Sequence, residues 1–144
     1  MKNALVYCRV ATQDNRYSSD ALNRQEKVCL EYAEKHNIYV KNVFKEVGFV
    51  SADKREFIVS LTGYLRQNEI EIMLISEYNR ISRNAGCLSH VIGLFDRAGI
   101  EIVSVKEGLP VDMFTIGIMN EMAKFDRNYR RRAAIESRKA KSNR

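Results

Sequence analysis

The segment ALVYCRV, residues 4–10, decides the fold because it is an almost wholly apolar run that carries one arginine near its end. Residues that favour β-strands dominate the segment, so it predicts a buried strand. The residues that follow are mostly polar and predict a loop. We therefore expect Arg9 to lie where a buried strand meets the edge of a sheet.

Strands and helices alternate along the rest of the chain, with short loops between them. Further strands are predicted at residues 39–44, 72–76 and 100–105. Helices are predicted at residues 19–36, 55–68 and 86–98. The first helix is expected to begin at an N-cap on Ser19 or Asp20 and to end at Asn37, and Gly99 is expected to end the third. This alternation predicts an α/β fold with a mainly parallel sheet of four to five strands flanked by helices.

The order of these elements also predicts where a site lies and how the chain divides. Ligands of such folds bind at the carboxyl ends of the parallel strands. The strand ends near Arg9, Glu46 and Asn79 should therefore converge on one edge of the sheet. We expect an α/β core at residues 1–110 and one long helix in residues 111–144, which contain almost no helix breakers.

The composition is that of a compact globular protein, with 45% apolar residues and one proline in 144. No apolar run approaches the roughly 20 residues that span a bilayer. The N-terminus also lacks the pattern of a signal peptide, so we expect a cytoplasmic protein without a membrane partner. Cys8, Cys29 and Cys87 are far apart and not grouped with histidines, which favours reduced core thiols over a disulfide framework or a zinc site.

The net charge of +6 is concentrated at the C-terminal end. Residues 127–144 contain eight Lys or Arg and one acid, Glu136, so this segment carries +7 and the preceding 126 residues carry −1. A basic block of this kind is typical of a surface that binds the phosphates of a nucleic acid. The alternative is a solvated helix end that only contributes to solubility.

The last predicted helix carries a continuous apolar face, which consists of Phe114, Ile118, Met122, Phe125 and Tyr129. Their spacings of four, four, three and four residues place them on one side of a helix. At about 1.5 Å per residue such a helix is longer than an α/β core of this size needs. We therefore expect a dimer that forms through this helix, with packing inside its own domain as the alternative.

Arginines recur at the predicted strand ends. Arg9 follows the first strand, Arg55 opens the second helix, Arg80 and Arg83 follow the third strand, and Arg127 lies on the long helix. Guanidinium groups are planar, permanently charged and suited to phosphate oxygens. Each arginine taken alone is an ordinary surface residue, but the group at the strand ends predicts a phosphate or phosphodiester site.

The chain resembles the serine recombinases, the family of resolvases, invertases and large serine integrases. Residues 7–12, YCRVAT, are similar to the family's Y-x-R-V-S-T, and residues 21–25, ALNRQ, to its S-L-x-x-Q. Residues 78–83, YNRISR, resemble L-D-R-L-S-R, and residues 123–127, AKFDR, resemble A-x-x-E-R. Glu46 and Arg55 are separated by the same nine positions as an acid and an arginine of resolvases.

The resemblance implies a catalytic domain for site-specific DNA recombination. In that family a serine attacks the scissile phosphodiester and forms a 5′-phosphoserine link, without a metal or another cofactor. Carried over by position, Arg9, Arg80 and Arg83 would bind the phosphate with support from Arg55 and Arg127, and Gln25 would position the nucleophile. The residues expected to contact DNA outside the catalytic site are Arg130, Arg131, Arg132, Arg138, Lys139 and Lys141.

Two departures from the family concern the chemistry. Ala11 stands at the nucleophile position, where a methyl group has no lone pair to attack phosphorus. Asn79 stands where the family has an aspartate, and an amide does not exchange a proton in that role at neutral pH. Thr12 is a poor substitute, since neighbouring residues of a strand end point to opposite faces and its hydroxyl is more hindered.

We therefore expect a catalytically silent recombinase that binds DNA as a homodimer, as a tetramer assembled on DNA, or as a heterodimer with an active recombinase. One alternative is the catalytic domain of an active recombinase with an engineered serine-to-alanine change. A second alternative is a heterodimerising regulator that does not contact DNA. A flavodoxin-like cofactor domain is disfavoured because the chain has no glycine-rich phosphate loop.

Overall fold

The computed structural model describes residues 1–10, 15–47, 55–81 and 85–142. The strands are β1 (Lys2–Val10), β2 (Ile38–Val47), β3 (Ile72–Ile75), β4 (Glu101–Ser104) and β5 (Leu109–Pro110). The helices are α1 (Asn15–Lys35), α2 (Arg55–Gln67), α3 (Ala85–Arg97) and α4 (Met113–Ser142). A 3₁₀ turn, Tyr78–Arg80, follows β3.

The five strands form one sheet in the order β2-β1-β3-β4-β5. The pairs β1–β2, β1–β3 and β3–β4 are parallel, which confirms the predicted α/β class with its flanking helices and long C-terminal helix. Strand β5 was not predicted as a separate element, and it pairs antiparallel with β4. The chain reverses before β5 at Gly108, whose φ of 66° suits glycine. Pro110 is tolerated because β5 lies at the sheet edge.

The predicted start of α1 at Ser19 or Asp20 is wrong, because the helix already begins at Asn15. Both side chains are exposed on the helix, where they meet water and do not need to serve as caps. An N-cap preference is worth only about 1 kcal/mol, so a longer helix overrides it. The predicted helix ends are confirmed: Asn37 follows α1 with a φ of 55°, and Gly99 follows α3 with a φ of 73°.

Strand β1 is the centre of the core and is covered on both faces. Ala4, Val6 and Cys8 belong to the cluster that packs against α1, where Leu22 and Cys29 contribute. Because side chains of a strand alternate, the neighbouring residues of β1 face the other side of the sheet, and residues 5 and 7 are also buried there. A strand buried on both faces is typical of a parallel sheet covered by helices on both sides.

The prediction of reduced core thiols is confirmed for Cys8 and Cys29, which are free and fully buried. Burial raises the pKa of the Cys8 thiol to about 11, and the nearby Glu26 carboxylate adds to the shift. Burial likewise raises the pKa of the Cys29 thiol to about 12. Both groups are therefore neutral and unreactive at physiological pH. The side chain of Cys87 lies outside the described part.

The chain divides into two compact units, Met1–Asp112 and Met113–Arg144. The second unit is α4, whose 30 residues correspond to a rod of about 45 Å. The predicted apolar face of this helix is exposed to solvent in the single chain, with Phe114 at 77%, Phe125 at 72% and Tyr129 at 68%. Among the described helices, none combines the length and the apolar character that crossing a bilayer requires.

Because β3 lies in the middle of the sheet, we expect truncation of one of its buried side chains to lower the free energy of unfolding strongly. Leu74 is fully buried, so Leu74→Ala should lower the free energy of unfolding by about 2–5 kcal/mol, measured by urea denaturation. Leu30→Ala is the matched control, because Leu30 lies on α1 with 39% exposure. The control should cost less than about 1 kcal/mol. Equal losses in the two variants would contradict the described core.

Candidate functional site

The carboxyl ends of β1, β2 and β3 meet at one edge of the sheet. Arg9 of β1 is in register with Glu46 of β2. The Arg9 guanidinium crosses to the turn after β3, where its Nε donates to the Arg80 carbonyl at 2.7 Å and its Nη2 to the Asn79 carbonyl at 3.4 Å. The expected convergence of Arg9, Glu46 and Asn79 is therefore observed.

Arg9 is a buried cation with 6% exposure. Burying a guanidinium is costly unless its donors are hydrogen-bonded, and here backbone carbonyls accept from two of its nitrogens. The same hydrogen bonds attach the turn Tyr78–Arg80 to the end of β1. Arg9 thus fixes the position of the segment that carries Arg80.

Gln25 of α1 forms hydrogen bonds with the backbone of Arg9. Its Oε1 accepts from the Arg9 backbone N–H and its Nε2 donates to the Arg9 carbonyl, both at 3.0 Å. The pairing of β1 with β3 ends at Val6 and Leu74, three residues before Arg9. The side-chain amide therefore satisfies backbone groups of β1 beyond the point where β3 has stopped pairing, as a strand would.

Arg80 lies in a more open environment than Arg9. Its side chain is 30% exposed, and its Nη2 lies 3.6 Å from Oε1 of Glu77, whose side chain is also 30% exposed. The other Glu77 oxygen, Oε2, lies 3.8 Å from Nζ of Lys106. The carboxylate is therefore shared between two cations, with contacts too long to be hydrogen bonds.

Within the described ranges of the chain, three buried polar atoms at this edge have no hydrogen-bond partner: Ser76 Oγ, Asn79 Oδ1 and Arg80 Nε. Such atoms are uncommon because each carries a desolvation cost of about 1–3 kcal/mol. An open cavity of about 270 Å³ lies beside them. It is lined by Ala21, Arg24, Gln25, Val28, Ser76, Glu77 and Arg80. The edge therefore offers positive charge and unused hydrogen-bonding groups next to a space for a ligand.

Tyr7 and Glu46 form a second polar contact on the β1–β2 side. The Tyr7 hydroxyl donates to Oε2 of Glu46. Burial raises the pKa of Tyr7 far above its ordinary value, and the hydrogen bond to the Glu46 carboxylate and its negative charge raise it further. The phenol is therefore a permanent donor that holds the Glu46 carboxylate at the sheet edge.

The structure brings together four of the predicted site residues: Arg9, Gln25, Asn79 and Arg80. Ala11 and Arg83 lie outside the described residues, and so does the side chain of Arg55, although its backbone opens α2. Arg127 is exposed on α4, in the second unit. The roles expected for these residues remain predictions.

The basic residues of the C-terminal segment lie on α4. Arg130, Arg131, Arg132, Arg138 and Lys139 are all exposed. Lys141 also belongs to the helix, but its side chain lies outside the described part. Between residues 127 and 139, the described helix presents a single acid, Glu136, among these cations.

The sequence analysis did not predict site roles for Ser76 and Glu77, and it placed Glu46 at this edge without predicting its contact with Tyr7. Ser76 and Glu77 directly follow a buried strand, and Glu77 precedes Arg80 by three residues, which is a usable signal for a local ion pair. No local pattern in the sequence indicates the contact between Glu77 and Lys106. It depends on the turn after β4, where the Lys106 N–H donates to the Ser76 carbonyl at 2.9 Å.

Among the described residues, no three His, Cys, Asp or Glu side chains are grouped so that they could hold a metal ion. The arrangement at the sheet edge is instead one of guanidinium groups, an amide and a hydroxyl. Groups of this kind bind and orient an anion with oxygen acceptors, such as a phosphate.

The double hydrogen bond of Gln25 predicts a specific effect of Gln25→Glu. The variant keeps the size but replaces the donor to the Arg9 carbonyl with a buried carboxylate, so it should lower the free energy of unfolding at pH 7 by about 1–3 kcal/mol. Protonation restores a donor, so the loss should shrink as the pH is lowered towards 5. Urea denaturation at the two pH values measures both effects.

The control for this experiment is Arg24→Gln, which changes the exposed neighbour of Gln25. We expect a change within about 0.5 kcal/mol and no added pH dependence. Amide exchange in a second variant, Gln25→Leu, gives a local readout, because leucine cannot accept from the Arg9 N–H, which should then exchange faster. An unchanged exchange rate at Arg9 would contradict the role assigned to Gln25.

Comparison with solved structures relates this arrangement to known folds. The N-terminal catalytic domain of TP901-1 integrase matches with a TM-score of 0.66 and 19% identity, over 89% of this chain and 98% of that one. A resolvase family site-specific recombinase from Streptococcus pneumoniae matches with a TM-score of 0.67 and 16% identity, over 100% of both chains. The C-terminal catalytic domain of ISC1926 TnpA, an IS607-like serine recombinase, matches with a TM-score of 0.60 and 24% identity, over 72% and 70%.

At these identities the three structures establish the fold that the chain shares with them. No curated protein matches the sequence. The family profile described as Resolvase, N terminal domain, matches residues 4–144. This match covers nearly the whole chain and includes both units, and the chain therefore belongs to the resolvase N-terminal domain family.

Proposed function

We propose that this chain is a serine-recombinase-type domain that binds DNA for site-specific recombination and is catalytically silent at position 11. The observation that carries the proposal is the sheet edge at Arg9 and Arg80, in a chain of the resolvase N-terminal domain family. The partly exposed Arg80 side chain, with its unpaired Nε, lies there beside a cavity of about 270 Å³. A DNA phosphodiester supplies the anionic oxygens that such a group binds.

In the proposed site the two described arginines have different roles. Arg80 would contact the phosphate, since its side chain reaches solvent and lines the cavity. Arg9 would act as a positioning residue, because two of its nitrogens already hold the backbone of the turn. Arg55, Arg83 and Arg127 would add positive charge around the phosphate, as the family pattern implies.

The same site would lack the groups that break the DNA strand. Ala11 offers no oxygen for attack on phosphorus, so a phosphoserine link cannot form at that position. The amide of Asn79 cannot take or give a proton as a carboxyl group does. Phosphate binding depends on the guanidinium groups and not on these two side chains, so binding would persist without cleavage.

A proposed second contact with DNA lies along the basic end of α4. The exposed arginines there would neutralise backbone phosphates, which makes affinity strongly dependent on salt. Contacts of this kind fix position and orientation but do not by themselves read base sequence. The domain would therefore bind duplex DNA with low sequence preference.

Neutralising three of these arginines tests the DNA contact. The triple variant Arg130→Gln, Arg131→Gln, Arg132→Gln should weaken duplex binding and reduce the slope of log K against log salt by up to about 2.7, if each residue contacts one phosphate. Fluorescence anisotropy at 50 and 200 mM salt measures this. The control neutralises Lys27, Lys35 and Arg66, which are exposed in the first unit. An identical loss in the control would show that only net charge matters.

We also propose that the chain dimerises through the apolar face of α4. Large apolar side chains at this exposure are costly in water, and another copy of the helix would cover them. Phe125→Glu should therefore convert a dimer into the 16.6 kDa monomer in sedimentation velocity. Lys124→Glu is the control, since Lys124 is the exposed neighbour outside the apolar face. A wild-type monomer at high micromolar concentration would contradict the dimer.

The alternatives for position 11 are separated by restoring the nucleophile. If Ala11 is a single engineered change in an active recombinase, Ala11→Ser should give covalent protein–DNA adducts with a library of duplexes, detected as bands that resist denaturation. The naturally silent domain should give none, even when Asn79→Asp is added. A heterodimerising regulator without DNA contact would fail the salt-dependence experiment instead.

A further inference from the structure

The contact between Glu77 and Arg80 lies at the edge where the proposed phosphate site is formed. Glu77 is the residue before the turn Tyr78–Arg80, a position from which a side chain can cap the turn, yet it makes no such hydrogen bond. Its carboxylate is directed to Arg80 instead, with Oε1 3.6 Å from Nη2. The main anion-binding candidate of the edge thus already faces an anion from its own chain.

We propose that Glu77 is an internal competitor for the Arg80 guanidinium, which a DNA phosphate must displace in order to bind. The inference rests on the proposed function and names a residue that regulates the affinity of that site. In this role Glu77 acts through its negative charge and does not contact the reacting atoms.

The geometry favours displacement over a permanent ion pair. A distance of 3.6 Å is longer than a charge-assisted hydrogen bond, and both side chains are 30% exposed, so the pair is weak and partly screened by water. Arg80 Nε is buried without a partner, so Glu77 does not satisfy the whole guanidinium. When the Arg80 side chain turns towards an incoming phosphate, the several phosphate oxygens could accept from Nε as well as from the terminal nitrogens.

A second cation is available to the Glu77 carboxylate after a phosphate has displaced it from Arg80. Its second oxygen lies 3.8 Å from the Lys106 ammonium, so the carboxylate keeps a cation when Arg80 turns to the phosphate. Lys106 is held in place by its backbone, whose N–H donates to the Ser76 carbonyl. The Ser76 hydroxyl, unpartnered in the cavity wall, is a further donor for the incoming anion.

Charge removal at Glu77 is the central test. Glu77→Gln keeps the size and should tighten duplex DNA binding by about 2- to 5-fold at 100 mM salt, the range expected for losing a weak competing ion pair. Anisotropy titration measures the change. Thermal unfolding of the variant should stay close to wild type, because the pair is long and partly exposed.

Two comparisons separate competition from a general gain of positive charge. Glu101→Gln removes an equal charge from a comparable long pair, Glu101 with Lys2 at 3.7 Å, at the opposite ends of the strands. It should change the affinity by less than about 1.5-fold, since charges there are screened from the site. In an Arg80→Gln background, Glu77→Gln should give no gain. The inference would be overturned if Glu101→Gln gave an equal gain, or if Glu77→Gln gave an equal gain in the Arg80→Gln background. It would also be overturned if Glu77→Gln gave no gain in the wild-type background.

A readout without DNA keeps the inference separate from the proposed function. The ¹⁵N–¹H signal of Arg80 Nε should shift in Glu77→Gln, and titration with inorganic phosphate should perturb it at lower concentration than in wild type. If the wild-type chain fails to bind DNA, the proposed function is wrong, while these two shifts would still support Glu77 as a competitor. An Arg80 signal unaffected by Glu77→Gln overturns the inference in either case.

Discussion

The end of β1 depends on one buried side-chain amide. Because β3 stops pairing with β1 at Leu74, the backbone N–H and C=O of Arg9 need another partner in a region closed to water. Gln25 supplies both a donor and an acceptor from α1. The same helix packs against β1 through Leu22 and Cys29, so the apolar core and the polar edge are held by one element. The position of the site is thus fixed by core packing.

Two arginines with similar sequence contexts have different physical environments. Arg9 is buried and donates to the carbonyls of Asn79 and Arg80, so its charge is used to hold the chain together. Arg80 is partly exposed, faces Glu77 and has an unpaired nitrogen. A mutation at Arg9 would disturb the turn itself, whereas a mutation at Arg80 would change mainly the charge that faces a ligand. The two residues are therefore not equivalent targets in functional experiments.

Binding and cleavage of a phosphodiester depend on separate groups in the proposed site. Electrostatic attraction by guanidinium groups needs no nucleophile and no exchangeable proton. Loss of a hydroxyl at position 11 and of a carboxyl at position 79 would remove the covalent step and leave the attraction intact. A carboxylate at position 77 would then set how strongly the remaining site holds DNA, since it lies beside the same arginine.

Much of the fold was predictable because its signals are local. The buried run at residues 4–10 and the alternation of strands and helices gave the parallel sheet, and Asn37 and Gly99 marked helix ends through backbone conformations that they favour. The start of α1 and the short strand β5 were not predicted. The cap preference at Ser19 is weak, and β5 forms only because the chain reverses at Gly108 beside β4.

For the site, the sequence by itself determined which side chains are available: the arginines at the strand ends, Gln25, Ala11 and Asn79. The tertiary structure alone decided how they are used. That Gln25 binds the backbone of Arg9, that Arg9 holds the turn, and that Glu77 lies between Arg80 and Lys106 all depend on residues far apart in the chain. Such contacts arise when the sheet and its helices pack together, and residue type and spacing do not encode them separately.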